Sequence, residues 1–362
     1  MSEEKRNQPN DELQDQLSPE QLNRKVKLNL LWLGIFSIMM LFAGLTSAYI
    51  ISSGDTFWVD FSLPSAFNIS TIIIVISSIT LFWAQSAIKK NQKTPFRIAV
   101  ILTFVLGSLF AVYQFKGYSQ LIDNGFVMGG FNPVVNQQGR YGKYFYATYQ
   151  GKEITYDGEF KYQGEPITDE LNEKLVAFAK ELKEGADDPE QIYNLSDYGQ
   201  GFLLYYQGSV LTYTNNQLLL DGEKLTLDIV QRLKWWSADR INGNGDFFMK
   251  GEYGKDFVLL YQRQPLEYNN RTFYLNGQQL SAPMLNKLYG QENTSSSYVY
   301  IFSGVHLLHW VGGIIALLVL LINTLRNKYS ENKYLGVTLA ARYWHFLGIL
   351  WLYLYLFLII IH

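Results

Sequence analysis

The chain has 362 residues, a formal net charge of -2 and no cysteine. Without thiols it has no disulfide, thiolate zinc site, iron-sulfur cluster or covalent c-type haem attachment. Without a long Lys/Arg block it offers no footprint for nucleic acid. Histidine is nearly as scarce, since His306, His309, His345 and His362 are the whole set.

Residues 1–27 are polar, charged and without apolar periodicity, which predicts a mobile tail. Five apolar runs follow, at about Leu28–Ser52, Ala66–Ile88, Phe96–Phe115, Tyr298–Leu325 and Leu339–Ile361. Each is long enough for a helix to cross a hydrocarbon core of about 30 Å, and helices satisfy their own backbone in lipid. Gly44 with Ala48 and Gly312 with Ala316 have the small-residue spacing that permits close helix approach. Arg24, Lys25 and Lys27 precede the first run, and Lys89, Lys90, Lys93 and Arg97 lie between the second and third. Arg326, Lys328, Lys333 and Arg342 lie around the last short loop. The loop after the first run carries Asp55 and Asp60 with no Lys or Arg. The positive-inside rule therefore predicts a cytoplasmic N-terminus and an outer C-terminus. The division is 1–27 tail, 28–117 first three helices, 118–297 extracytoplasmic insert, and 298–362 last two helices.

Within the insert one pattern occurs three times. YGKYFYATYQG begins at Tyr141, YGQGFLLYYQG at Tyr198 and YGKDFVLLYQR at Tyr253. The register continues through Tyr156, Tyr213 and Tyr268, then Gly164, Gly222 and Gly277, then Thr168, Thr226 and Ser281. Tyr/Phe-rich openings favour strands, and Asp221-Gly222 and Asn276-Gly277 suit hairpin turns. Thr168, Thr226 and Ser281 stand where a hydroxyl caps a helix. Leu171 with Leu175, Ile229 with Leu233, and Met284 with Leu288 then place an apolar stripe on each helix. The expected fold is an all-α membrane bundle of five helices with an inserted α+β domain of three ββα-like units sharing a core. The aligned tyrosines read as packing positions, and the insert is assigned no chemistry.

The fourth apolar run contains FSGVHLLHWVGG, with His306 and His309 three residues apart, and the fifth contains ARYWHFLGILWLYLY, with Trp344 and His345. Ionisable side chains inside a membrane are costly and face protein or a cavity. These motifs, in this order, resemble subunit III of haem-copper terminal oxidases, namely cytochrome c and quinol oxidases. FSIMMLFAGLTSAYI in the first run, Asn68 and WAQSAIKK in the second, and LGSLFAVYQFKGY in the third are similar in order and spacing. The resemblance covers the membrane segments, about half of the chain, and leaves the insert unexplained. It implies a five-helix bacterial form lacking the first two of seven helices.

The resemblance further implies a non-catalytic subunit that supports the subunit I/II core, which reduces oxygen to water and pumps protons. Haem and copper then belong to the partner subunits, this chain has no active site or cofactor of its own, and bound phospholipid is compatible. His306, His309, His345, Trp344 and Asn68 become candidates for lipid or interhelical contact. Neutral imidazoles bridging helices are the plainer role for the histidines, and haem or metal ligation ranks last. Where many members carry intramembrane carboxylates, this chain has Ile38 and Gly348, so no proton-handling role is carried over. The implied location is the bacterial inner membrane, with the insert in the periplasm facing subunit II, a cytochrome c donor or a neighbouring respiratory complex. Two alternatives stay open: a subunit III-like accessory protein of nitric oxide reductase, and a membrane-anchored periplasmic binding or assembly protein.

Overall fold

The structure is a computed structural model that describes residues 18–128, 134–135, 144–156, 159–269 and 272–361. Tyr141, where the first tyrosine-rich motif opens, lies outside the described residues. In chain order the elements begin with helix α1 (Pro19–Asp55), strand β1 (Phe57–Phe61), and helices α2 (Ser65–Lys89) and α3 (Lys93–Asp123). A strand-rich region follows. It contains β2 (Phe145–Tyr149), β3 (Lys152–Tyr156), β4 (Phe160–Tyr162), β5 (Glu165–Pro166) and α4 (Asp169–Asp187). Next come β6 (Phe202–Tyr206), β7 (Ser209–Val210), β8 (Thr212–Thr214), β9 (Gln217–Leu220), β10 (Glu223–Lys224) and α5 (Leu227–Ile241). Then come β11 (Phe257–Tyr261), β12 (Gln264–Pro265), β13 (Glu267–Asn269), β14 (Thr272–Leu275), β15 (Gln278–Gln279) and α6 (Ala282–Tyr289). Helices α7 (Thr294–Leu325) and α8 (Leu335–Ile361) end the chain.

Five helices, α1, α2, α3, α7 and α8, are long and apolar enough to cross a membrane. The first begins well before Leu28, so the polar stretch ahead of the apolar run is partly helical. Its start is set by a capping box: the Gln21 backbone N–H donates to Ser18 Oγ at 3.3 Å, and the Ser18 N–H donates to Gln21 Oε1 at 3.2 Å. Proline at the first helical position has no N–H to lose there.

The chain divides into two compact units. Among the described residues, the helical unit comprises 18–51, 63–120 and 298–361. Its interior is stitched by polar side chains, as expected where lipid removes the hydrophobic drive between helices. Thr80 and Thr103 hydroxyls meet at 2.8 Å, and Gln114 Nε2 donates to Ser70 Oγ at 2.9 Å. Large apolar side chains point outward, with Leu30, Leu33 and Met40 of α1 each more than 60% exposed (63%, 68% and 62%). That outward apolar surface is what a lipid solvent or a second membrane subunit requires.

The second unit comprises Ser52–Ser62 and Leu121–Ser297. Its largest sheet has the strand order β5-β4-β3-β2-β6-β7. The central pair, β2 and β6, is antiparallel, running from Phe145 opposite Tyr206 to Tyr149 opposite Phe202. Alternate residues Phe145 and Ala147, with Phe202 and Leu204, face a core completed by Leu175, Phe178 and Leu182 of α4 and Leu233 and Trp236 of α5. This cluster spans Phe145 to Trp236. Further along the chain, Phe247, Tyr253, Phe257, Tyr268 and Phe273 pack ring on ring.

Strand β11 pairs with β1, from Phe57 opposite Tyr261 to Phe61 opposite Phe257. The loop between the first two spans thereby supplies a buried strand to this unit, and Gln291 Nε2 donates to Phe57 O at 2.7 Å.

The expected turns form. Asp221-Gly222 and Asn276-Gly277 both have positive φ at each residue, 52° and 86°, then 51° and 76°, as a type I′ hairpin demands. Thr168 Oγ1 caps α4 by accepting the Leu171 N–H at 3.3 Å. Thr226 and Ser281 occupy the same N-cap place without a side-chain cap bond; the Thr226 hydroxyl donates to Asp228 instead.

Candidate functional site

Trp344 stands at the centre of the helical unit, 1% exposed. Its indole Nε1 donates to Ser77 Oγ of α2 at 2.8 Å. Glycines make room for its ring. A Cβ on Gly107 of α3 would lie 2.7 Å from Trp344 Cη2, and one on Gly313 of α7 would lie 3.1 Å from Trp344 Cε3. One side chain of α8 thus gauges three neighbouring helices. The small-residue pairs read from sequence do less: a Cβ on Gly44 meets nothing within 4 Å, and one on Gly312 makes ordinary contact with Tyr343 Oη at 3.4 Å. Gly107 has Ala111 at the same spacing of four, so the signal was present in the sequence but did not distinguish it from pairs that make no close contact.

His306 is buried, and its Nε2 lies 3.0 Å from the main-chain carbonyl of Leu347 on α8. A carbonyl only accepts, so Nε2 carries the proton and donates. The imidazole is flanked by Trp351 and Phe110, with ring centroids 5.2 Å and 5.9 Å away. His309 donates from Nδ1 to Val305 O of its own helix at 2.8 Å and approaches Phe42 of α1 at 6.0 Å between centroids. The Tyr343 hydroxyl donates to His309 O at 3.2 Å. His345 stacks on Phe82 of α2 at 3.9 Å and 16°. Neither of its ring nitrogens has a hydrogen-bond partner among the described residues.

The histidines therefore engage three different surroundings and make no hydrogen bond with one another among the described residues. No group of three or more His, Asp or Glu side chains among those residues is arranged to hold a metal ion. His306 and His309 each spend one ring nitrogen on a backbone carbonyl. What the arrangement does is orient helices.

Asn68 belongs to the same seam, accepting through Oδ1 the hydroxyl proton of Tyr355 on α8. Trp351 Nε1 donates to Thr71 Oγ1 at 2.9 Å, and Trp310 Nε1 donates to Gly107 O at 3.1 Å. Ser77, Thr71 and Gly107 are hydrogen-bonding and packing partners that sequence reasoning missed; a Ser or Thr in an apolar run announces a hydrogen bond but not its recipient. Gly348, where the resembled family often has a carboxylate, packs a bare backbone against Ser78, whose Oγ would be 3.0 Å from an added Cβ.

Comparison with known proteins bears on these same helices. Residues 274–361, which include α7 and α8 with all three intramembrane histidines, match the family model for cytochrome c oxidase subunit III. Cytochrome c oxidase subunit 3 of Spodoptera frugiperda is 42% identical over 60 residues, 17% of this chain and 41% of that protein. That of Drosophila yakuba is 38% identical over 65 residues, 18% of this chain and 25% of that protein. A bacterial relative, named probable cytochrome c oxidase subunit 3 of Nocardia farcinica, is 38% identical over 69 residues, 18% of this chain and 34% of that protein. The chain spans less than half the length of these curated relatives. The C-terminal segment that carries the three histidines is thus similar to cytochrome c oxidase subunit III, in a chain with five helices long and apolar enough to cross a membrane.

Proposed function

We propose that the chain is the non-catalytic third subunit of a bacterial respiratory haem-copper oxidase, seated beside the subunits I and II that carry haem and copper and reduce oxygen to water with proton pumping. The observation that carries this reading is the coincidence of the family match with the helix-locking residues, since His306, Trp344 and Trp351 all fall inside residues 274–361. Their bonds to Leu347, Ser77 and Thr71 suit a scaffold held in one shape. The exposed apolar side chains of α1 suit lipid or a neighbouring subunit, and His306, His309 and His345 serve interhelical or lipid contact.

In this reading the N-terminus is cytoplasmic, while the C-terminus and the strand-rich insert are periplasmic. The insert is three copies of one ββα-like unit. Matching offsets support this: the Tyr198 hydroxyl donates to Leu211 O at 2.6 Å and accepts from Leu204 N–H at 3.4 Å. The Tyr253 hydroxyl donates to Leu266 O at 2.9 Å and accepts from Leu259 N–H at 3.2 Å. The insert forms a cap that meets subunit II, a cytochrome c donor or a neighbouring respiratory complex.

Affinity purification of the tagged full chain from its native membrane tests the assignment, with haem-containing subunits I and II expected in the eluate. Recovery with a nitric oxide reductase instead, or of an intact, fully active oxidase lacking this chain, overturns it. Protease added to spheroplasts is expected to cut within residues 118–297 and leave the cytoplasmic loops whole; the reverse pattern overturns the orientation.

A further inference from the structure

The β2–β6 pairing is centred on Ala147 and Leu204, so a half-turn exchanges Phe145 with Phe202 and Tyr149 with Tyr206. Flanking bonds obey the exchange: the Gln207 N–H donates to Tyr144 O, and the Gln150 N–H donates to Gly201 O, both at 2.8 Å. Ring contacts obey it too. Phe145 meets Tyr206, and Tyr149 meets Phe202, each at 5.0 Å between centroids.

The exchange carries Tyr144 onto Gly201, and there the two halves differ. Tyr144 stacks on Tyr206 at 5.9 Å and 19°, with the Arg232 guanidinium 4.2 Å over the Tyr144 ring. Arg232 Nη1 also donates to the Tyr206 hydroxyl at 3.2 Å. The slot is therefore a box in which a tyrosine face and a cation from α5 enclose a phenol ring. On the other side Gly201 brings no ring to Tyr149. Tyr149 remains partly exposed, edge-on to Tyr162 at 5.9 Å and 73°. The cation that matches Arg232 is Lys174 of α4, which pairs with Glu170 at 2.7 Å as Arg232 pairs with Asp228 at 3.5 Å. Tyr149, Tyr162, Thr168, Leu171 and Lys174 line a cavity of about 570 Å³ at this place.

We propose that this cavity binds an aromatic ring from another molecule, of the class of a tyrosyl side chain presented by a partner polypeptide. The occupant is defined by the related slot, which the chain fills with its own Tyr144. A flat, electron-rich ring satisfies both walls, because its face attracts the Lys174 ammonium and its edge or face packs on Tyr149. A saturated ring of similar size has no quadrupole to offer the cation. Glu165 and Glu170, which also line the cavity, offer acceptors to a phenol hydroxyl and disfavour an acidic ligand.

Saturation-transfer NMR on the full chain in detergent, with N-acetyltyrosinamide as the probe, tests this. Saturable transfer to the ring protons is expected, with N-acetylcyclohexylalaninamide binding more weakly. Binding is expected to fall below detection in Tyr149→Ala and to weaken roughly two- to fivefold in Lys174→Met, the size of an exposed cation–π contribution. Lys174 is exposed, so its variant decides the matter even where Tyr149→Ala fails to fold. No saturable binding to the wild type, equal binding of the cyclohexyl compound, or undiminished binding in Lys174→Met overturns the proposal.

Discussion

His306 on α7 hydrogen-bonds the main-chain carbonyl of Leu347 on α8 at 3.0 Å, whereas His309, one turn further along, bonds Val305 in its own helix at 2.8 Å. The same residue type in one motif thus hydrogen-bonds between helices at one position and within its own helix at the other. His306→Phe keeps a ring between Trp351 and Phe110 and loses the bridge, at an expected cost of about 0.5–1.5 kcal/mol. His309→Phe is expected to cost less. Unfolding by graded denaturing detergent, followed by circular dichroism, measures both; a larger loss in His309→Phe than in His306→Phe would contradict this assignment.

Gly107 and Gly44 make a matched pair of tests for helix packing. Gly107→Ala puts a methyl group against the Trp344 ring, where the added carbon would lie 2.7 Å from Cη2. Overpacking of this kind typically costs about 1–3 kcal/mol, and the Trp344 to Ser77 bond is expected to lengthen or break. Gly44→Ala meets open space and is expected to leave stability unchanged or slightly raised, since alanine favours a helix. Tryptophan fluorescence and detergent unfolding of the two variants are the measurements. Equal destabilisation in both sinks the claim that Trp344 gauges the bundle.

The five spans were legible because an apolar run of that length has one stable conformation in lipid, and Asp221-Gly222 and Asn276-Gly277 were legible because their residue types tolerate positive φ. Gln150-Gly151, Gln163-Gly164 and Gln207-Gly208 make turns with positive φ at both residues, yet glutamine carries no such signal. The early start of α1 was written in Ser18 and Gln21 but masked by the polarity around them. Strand β1 was hidden for a different reason. FWVDF reads as a short acidic loop until it meets β11, and a pairing between Phe57 and Tyr261 leaves no local trace. Site residues followed the same division. His306, Trp344 and Asn68 stood out by chemistry, whereas Leu347 O, Ser77 and Gly107 became partners only through packing.

Burial pushes the Tyr198 hydroxyl up to about 12, against an ordinary value of about 10. The folded state thus holds the proton where the unfolded chain has released it, so stability is full below pH 10 and falls as pH rises toward 12. Tyr198→Phe leaves the Leu204 N–H and the Leu211 carbonyl without this partner, an expected loss of about 1–2 kcal/mol at neutral pH. It also removes the group that titrates. The stability gap between wild type and Tyr198→Phe should therefore narrow between pH 10 and 12 in thermal unfolding; a gap that widens there contradicts the assignment.

Asp60 lies in β1 opposite Val258 of β11. Burial raises its carboxyl above the ordinary aspartate range, and a hydrogen bond from the Phe61 backbone only partly opposes this. A raised value in the folded state means that the neutral form is the better fit there. Its contribution to stability is whole below the unfolded value of about 4 and is lost as pH rises through the folded value. Asp60→Asn keeps an acceptor for the Phe61 N–H and removes the charge, so it is expected to raise the melting temperature at pH 7. The advantage should shrink as pH falls toward 4, where the wild-type carboxyl takes up its proton. Hydrogen exchange adds a local readout, since firmer β1 pairing should slow exchange in Val258 and Leu260 as well as in β1. A melting temperature lowered at pH 7, or an advantage that grows in acid, would show that Asp60 is held by a favourable charge contact instead of being strained by burial.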